Sequence, residues 1–156
     1  WLDKVIQPFD FDTLDAKDIS NNMIALMQKH SGLGMSANQV GVDGQIFVMR
    51  PILLEDKTPL VIINPEVVQA SQETELMVEG CLSYPDLFLH VKRPKHIVAK
   101  YLDIDAKECT IELYDIDARC FLHEFDHLNG IKFTDRVSKL KLDRALKKQK
   151  KTKEKG

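Results

Sequence analysis

The sequence predicts an α+β protein in which mixed or antiparallel β-sheets pack around a central buried helix that carries an HExxH motif. The β-rich runs cluster in the middle of the chain and do not alternate with helices, which favours such sheets over a doubly wound one. Two segments with helical spacing of apolar residues flank this region. With 156 residues, 44% of them hydrophobic, the chain is long enough to bury the core of one domain.

The predicted elements follow one another in a simple order. A first helix spans residues 15–30, and a glycine-containing loop at 32–41 follows it. The β-rich runs come next: Gln45–Arg50, Leu60–Asn64, Leu76–Val78, Phe88–Val91, His96–Leu102 and Thr110–Tyr114. Prolines punctuate these runs and are expected to lie outside the central strands. A second helix, from about Asp117 to Asn129, has an apolar stripe that predicts burial.

Charge divides the chain into an acidic body and a basic tail. Residues 137–156 carry nine of the 22 Lys and Arg residues and two of the 24 acids. Residues 1–136 therefore hold 13 basic and 22 acidic side chains, a net charge of −9. The prediction is one globular domain at 1–137 and a basic tail at 138–156 that is part helical or disordered.

Composition also indicates the compartment. No apolar run approaches the ~20 residues that cross a bilayer, and no secretory signal is visible. The cysteines, Cys81, Cys109 and Cys120, are odd in number and form no CxxC pair, which indicates a reducing environment. The expectation is a cytoplasmic protein that binds neither membrane nor DNA.

The second helix carries the clearest chemical motif, the HExxH sequence at His123–His127. Residues four apart lie on one face of a helix, so His123 and His127 can bind the same metal ion. Glu124 is rotated slightly from that face and can reach water at the metal. Two histidines leave the ion underligated, so a third protein ligand is required.

The third ligand must lie upstream of the motif. No histidine follows His127, and the only later glutamate is Glu154 in the charged tail, which disfavours the familiar HExxH metallopeptidases. A cysteine is the natural candidate. Cys81 follows a glycine at a strand end, and Cys120 lies one turn before His123. The residues alone favour Cys81 modestly and leave Cys120 open.

Three motifs together are far more specific than HExxH alone. They are GxGxxxxQ at Gly32–Gln39, EGCLS at Glu79–Ser83 and HExDH at His123–His127. In order and spacing they resemble the signature motifs of the peptide deformylases, over about residues 2–137. The resemblance implies an enzyme that removes the N-formyl group from the initiator methionine of nascent polypeptides and releases formate. It also implies Cys81 as the third ligand.

The resemblance assigns further roles. Glu124 would act as general base and then general acid, while the Gln39 side chain and the Leu82 backbone N–H would stabilise the oxyanion. Substrate contacts are implied at Gly32, Leu33, Gly34, Glu79, Gly80, Ile116 and Cys120. Met35 is a further candidate for the methionine pocket. The implied native metal is Fe²⁺, for which Zn²⁺, Ni²⁺ or Co²⁺ can substitute.

Two departures and one alternative accompany the resemblance. Ser36 stands where the family usually has alanine, and the arginine usual after EGCLS is replaced around Phe88.

The alternative function is a non-catalytic, metal-stabilised module associated with the ribosome. Such a module would have no use for Glu124 or Gln39, so their presence favours catalysis. The basic tail predicts contact with ribosomal RNA or, equally, a solvated end.

Overall fold

A computed structural model describes residues 1–155, with the side chains of residues 1–151, so the last residue of the predicted tail lies outside the described residues. The α+β class predicted from the sequence is confirmed. The helices and strands are α1 Ala16–Lys29, β1 Gly34–Ser36, α2 Ala37–Val40, β2 Ile46–Met49, β3 Leu60–Ala70, β4 Thr74–Cys81, β5 Tyr84–Pro94, β6 His96–Leu102, β7 Glu108–Tyr114, α3 Asp115–Leu128 and α4 Lys139–Lys155, with a 3₁₀ turn at Phe133–Arg136.

The described strands form two antiparallel sheets. Five strands have the order β1-β2-β3-β6-β7, and β4 pairs only with β5. The main core lies where α1 and α3 cover the larger sheet, with the Phe121 ring edge-on to Phe47 at 5.0 Å. A smaller apolar cluster lies behind β5. Helix α3 contacts both sheets, and this position brings its side chains to the end of β4.

Strands β3 and β5 are longer than predicted, because the prediction ended both strands before prolines that they in fact include. The expectation that prolines lie outside the strands is wrong for Pro65, which lies within β3. The pairing of β3 with β6 shifts register between Ile63 and Glu66, and Asn64 has a φ of 49°. Such a bulge leaves a residue without a ladder hydrogen bond, so the missing N–H of Pro65 costs nothing there.

Helix α3 begins two residues before the predicted Asp117, at Asp115. It ends at Leu128, and Gly130 follows with a φ of 73°. A Cβ at Gly130 would lie 2.7 Å from the Asp3 carbonyl oxygen, so both the left-handed backbone and the close approach require glycine. The buried polar residues of α3 are Asp117, Arg119, His123, Glu124, Asp126 and His127.

Within the basic tail, Lys139–Lys155 form helix α4. Leu142 and Ala145 pack against the cluster of Leu87, Leu89, Val91 and Phe133. Gln149 lies on the same helix face, and its Nε2 donates to the Pro85 carbonyl oxygen at 2.8 Å. Helix α4 therefore covers the outside of β5.

Among the described residues, no helix is long and apolar enough to cross a membrane.

Candidate metal and active site

Two elements bring the predicted metal ligands together. Cys81 is the last residue of β4, while His123 and His127 lie one turn apart on α3. One ligand atom from each lies within 4.8 Å of the others, and the Cys81 Sγ is 3.5 Å from the His127 Nε2. Both histidines are buried. A thiolate and two imidazoles at this spacing can hold one divalent ion.

Cys120 has a different environment. Its Sγ lies 3.3 Å from the Leu33 carbonyl oxygen, to which the thiol donates. Desolvation, followed by the negative charges of Glu124 and Asp117, raises the pKa of this thiol well above its usual value. The group therefore stays protonated, which does not suit a metal ligand. Of the two cysteines that the sequence left open, the geometry favours Cys81.

The Glu79 carboxylate holds His123 in place. The His123 Nδ1 lies 2.9 Å from the Glu79 Oε1, which leaves Nε2 free to face an ion. Burial alone would raise the pKa of Glu79, but hydrogen bonds from His123 and Arg93 outweigh burial and lower it to about 2. The sequence placed Glu79 among substrate contacts. In the structure its carboxylate is occupied by these buried partners, although the residue also lines the cleft.

Arginines complete this buried network. Arg93 donates to Glu79 through Nε and Nη2 at 2.8 and 3.0 Å, and to Asp126 through Nη1 at 2.6 Å. Arg119 also donates to Glu79, and Arg136 donates to both oxygens of Asp126. Sequence reasoning missed these arginines. The available signal was the acid within each motif, Glu79 in EGCLS and Asp126 in HExDH, because a buried carboxylate requires a cationic partner.

Burial sets the charge of the other motif residues. It lowers the pKa of His127 to about 3, so this imidazole is neutral and can donate a lone pair. Burial also opposes protonation of His123, but hydrogen bonds to Cys81 and Glu79 outweigh burial and raise its pKa to about 10. His123 must therefore release a proton when it binds an ion.

Glu124 is buried beside the cleft, with its Oε1 4.0 Å from the His123 Nε2. Its burial raises the pKa of the carboxyl to about 7. Its Oε2 has no hydrogen-bond partner among the described residues. Buried polar atoms are rarely left without a partner, so this oxygen is available to water or substrate. A Cβ at Gly34 would approach the Glu124 Cγ to 2.9 Å, so a larger residue there would displace the carboxylate.

Gln39 presents its amide donor towards the same centre. Its Oε1 accepts from the Ser36 N–H at 2.9 Å and from the Ser36 Oγ at 3.2 Å. These bonds orient Nε2 towards the Ser83 Oγ at 3.0 Å and the Cys81 Sγ at 3.8 Å. The serine that departs from the family pattern thus adds a hydrogen bond that fixes the side-chain orientation of Gln39.

An apolar cleft lies beside the three ligands. All the predicted substrate-binding residues line it: Gly32, Leu33, Gly34, Glu79, Gly80, Ile116 and Cys120. Leu82 lines it as well, whereas Met35 is buried in the main core. Val78 and Phe88 also form its wall but were not predicted, and they are 53% and 61% exposed. The cleft can therefore hold an apolar side chain beside the ligands.

Comparison with known proteins gives one family. The model of the polypeptide deformylase family matches residues 1–143. The peptide deformylase of Rhizobium meliloti is 39% identical over 147 residues, which cover 94% of this chain and 84% of that protein. The peptide deformylase of Wolbachia pipientis wMel is 41% identical, with 88% and 82% covered.

Solved structures agree with the sequence relatives. Peptide deformylase from Thermotoga maritima superposes with a TM-score of 0.81 at 38% identity, covering 88% of this chain and 90% of that one. The enzyme from Ehrlichia chaffeensis, in complex with actinonin, gives 0.86 at 38% identity, covering 97% and 91%. Motifs, fold and ligand geometry lead to one conclusion: this chain belongs to the polypeptide deformylase family.

Proposed function

We propose that this enzyme removes the N-formyl group from the initiator methionine of nascent polypeptides, with the residues of the cleft in the roles given below. The observation that carries the proposal is the trio of Cys81, His123 and His127 beside the unpaired Oε2 of Glu124. The test is formate release from a formyl-Met peptide by metal-loaded protein, with metal-free protein as control. Absence of formate would refute it.

Cys81, His123 and His127 would hold the metal. Their donor set fits a divalent ion of borderline softness, because one thiolate and two imidazoles suit iron, cobalt, nickel and zinc. His127 is neutral, and Glu79 already fixes the His123 ring. A divalent ion held there supplies Lewis acidity to water and to the formyl carbonyl.

Glu124 would move the proton. A water molecule attacks the formyl carbon, a C–O bond forms, and Glu124 Oε2 accepts the proton that the water loses. The C–N bond then breaks as Glu124 returns that proton to the departing amine, which leaves formate and a free amino terminus. The unpaired Oε2 and the pKa of about 7 suit a group that both accepts and donates near neutral pH.

Gln39 and Leu82 would stabilise the oxyanion. The Gln39 Nε2 is already oriented by Ser36, so it needs no rearrangement when negative charge develops. Leu82 follows Cys81 directly and lines the cleft, which suits a second donation from its backbone N–H.

Gln39→Leu should lower kcat more than it raises KM. The amide is needed when the oxyanion forms, and loss of one such donor costs roughly 10²–10³-fold in kcat. Steady-state kinetics with a formyl-Met peptide provides the measurement, and Gln69→Leu, an exposed glutamine of β3, is the control. An effect confined to KM would show that Gln39 only binds the ground state.

The methionine side chain would enter the apolar end of the cleft. Leu33, Ile116 and Cys120 form this part of its wall. The substrate backbone would lie extended between Gly34 and Gly80, as an added strand. Gly34 is tightly packed, since a Cβ there would lie 3.1 Å from the Cys120 Sγ.

Ferrous iron would be the native metal, as the family resemblance implies. Protein purified in air should lose activity, because ferrous iron beside a thiolate oxidises readily. Reconstitution with Ni²⁺ should restore an air-stable form, while Zn²⁺ should give lower activity. The measurement is formate release per bound metal after anaerobic and aerobic purification. Full activity with zinc, unchanged by aerobic handling, would contradict the iron assignment.

Neither alternative function has a supporting observation. A metallopeptidase would take its third ligand downstream of His127, whereas the geometry brings Cys81 to the site. A non-catalytic module would need no buried carboxylate with one oxygen left without a hydrogen-bond partner, such as the Oε2 of Glu124. We therefore retain the deformylase function alone.

The exposed face of α4 would contact ribosomal RNA, which places the enzyme with nascent chains in the cytoplasm. The helix packs through Leu142 and Ala145, and Lys141, Arg144 and Lys147 lie exposed. Phosphate contacts through such side chains give an affinity that falls steeply with salt. The packed face rules out a simple truncation as a test, since removal of α4 would uncover β5.

Charge reversal tests this contact without loss of packing. Lys141→Glu together with Lys147→Glu should weaken ribosome binding at low salt and leave turnover of short formyl-Met peptides unchanged. The matched control is Lys17→Glu with Lys100→Glu, two exposed lysines elsewhere. Cosedimentation with ribosomes between about 50 and 200 mM salt provides the measurement. Equal ribosome binding by both variants would show that α4 is a solvated helix without a ribosome contact.

A further inference from the structure

Asp117 is a buried acid to which the proposed mechanism gives no role. It lies in the first turn of α3 and is 1% exposed. Its Oδ1 accepts from the Ile52 N–H at 2.7 Å, and its Oδ2 accepts from the Leu53 N–H at 2.9 Å. None of the ion pairs found among the described residues includes Asp117. The carboxylate is therefore stabilised by two backbone donors and by the amino end of a helix.

The segment that Asp117 binds is fixed at its other end to the cleft. The Arg50 N–H donates to the Leu33 carbonyl oxygen at 2.8 Å. The same oxygen accepts from the Cys120 thiol. Residues 50–53 therefore connect Leu33 to the first turn of α3, which carries Ile116, and both Leu33 and Ile116 line the cleft.

The side chains of this segment differ in burial. Pro51 is buried, whereas Ile52 and Leu53 are 40% and 55% exposed, so side-chain packing is weaker at the two residues that donate to Asp117. The two hydrogen bonds to the Asp117 carboxylate join this part of the segment to α3.

We propose that Asp117 is a positioning residue for the methionine pocket. By holding residues 50–53 against α3, it sets the separation between Leu33 and Ile116 and so the width of the pocket. This inference rests on the proposed function. It predicts that loss of a hydrogen bond between Asp117 and residues 52–53 should affect recognition of the methionine side chain more than the chemical step at the metal ligands.

Asp117→Asn tests this role. The amide group turns one hydrogen-bond acceptor into a donor that faces a backbone N–H, so one bond is lost. KM for a formyl-Met peptide should rise roughly five- to tenfold while kcat stays within about twofold, the size of effect that a small change in apolar fit produces. The preference for formyl-Met over formyl-Ala peptides should narrow by a similar factor.

Asp115→Asn is the matched control. Asp115 lies in the same helical turn but is exposed, and asparagine tolerates its φ of 50°. The control removes the same charge at the helix start and should leave KM and the preference unchanged. If neither wild type nor control releases formate, the proposed function fails. If both release it and Asp117→Asn matches them in KM and preference, only the positioning role fails.

A second variant covers the case in which Asp117→Asn does not fold. Ile52→Pro removes the N–H that the Asp117 Oδ1 accepts and leaves the carboxylate in place. It should raise KM and narrow the preference in the same direction. A lower melting temperature with wild-type KM and preference would show that Asp117 contributes only to stability and would overturn the proposal.

Discussion

Replacing Glu124 with Gln is expected to lower kcat by roughly 10²–10⁴-fold, the range associated with a positioned general acid–base. The amide keeps the size of the carboxylate, so the close packing of Gly34 against its Cγ is retained. What it loses is the oxygen that can take a proton from water and return it to the amine. We expect metal content and melting temperature to stay near those of wild type.

Three measurements on the Glu124→Gln variant separate catalysis from folding. Formate release gives kcat, elemental analysis gives metal per chain, and thermal unfolding gives stability. Glu108→Gln, at an exposed position on β7, controls for the loss of one acid. A Glu124→Gln variant that retained more than about a tenth of wild-type kcat would contradict the proton-transfer role.

Cys81→Ala is expected to abolish both metal binding and turnover, while Cys120→Ala should retain both. The Cys81 Sγ is within 4.8 Å of the histidine ligand atoms, and the Cys120 thiol donates instead to the Leu33 carbonyl. Loss of one of three protein ligands leaves the ion with two histidines, too few for a stable site. Both substitutions make the same chemical change, the loss of one cysteine sulfur, so each is the control for the other.

Metal content after dialysis and melting temperature with and without added metal provide the measurements. A metal ion that binds only the folded state raises the melting temperature. Added metal should therefore raise the melting temperature of both wild type and Cys120→Ala. Cys81→Ala should show little response. The reverse pattern would transfer the ligand role to Cys120 and would require α3 to supply all three ligands.

The sequence singled out Cys81, His123 and His127, which lie together in the structure, but it missed the residues that hold them in place. Local spacing on one helix sufficed to pair His123 with His127. The choice of Cys81 depended on the family resemblance, because nothing local shows that β4 ends beside α3. Arg93 and Arg119 were missed because their partner, Glu79, is 14 and 40 residues away in sequence. Long-range ion pairs leave no periodic pattern to detect.

The strands show a similar division. The alternation of Leu87, Leu89 and Val91 is a period-two pattern, and it buries one face of β5 as such a pattern predicts. The length of β5 was underestimated because Pro85 and Pro94 were expected to limit it. Both lie near its ends, where a missing N–H is tolerated. The helical part of the tail followed from its leucine spacing, but its packing partner could not be inferred.

The packing of α4 against β5 has a consequence for the order of synthesis. An isolated two-stranded sheet has only marginal stability. Strands β4 and β5 form such a sheet, and Cys81 lies at the end of β4. Leu142 and Ala145, which cover β5, belong to the last of the described elements to be translated. A partly made copy of the enzyme would thus have both histidines available before the strand that holds the thiolate is stabilised. We therefore expect each copy to hold its metal more tightly once α4 has left the ribosome and packed against β5.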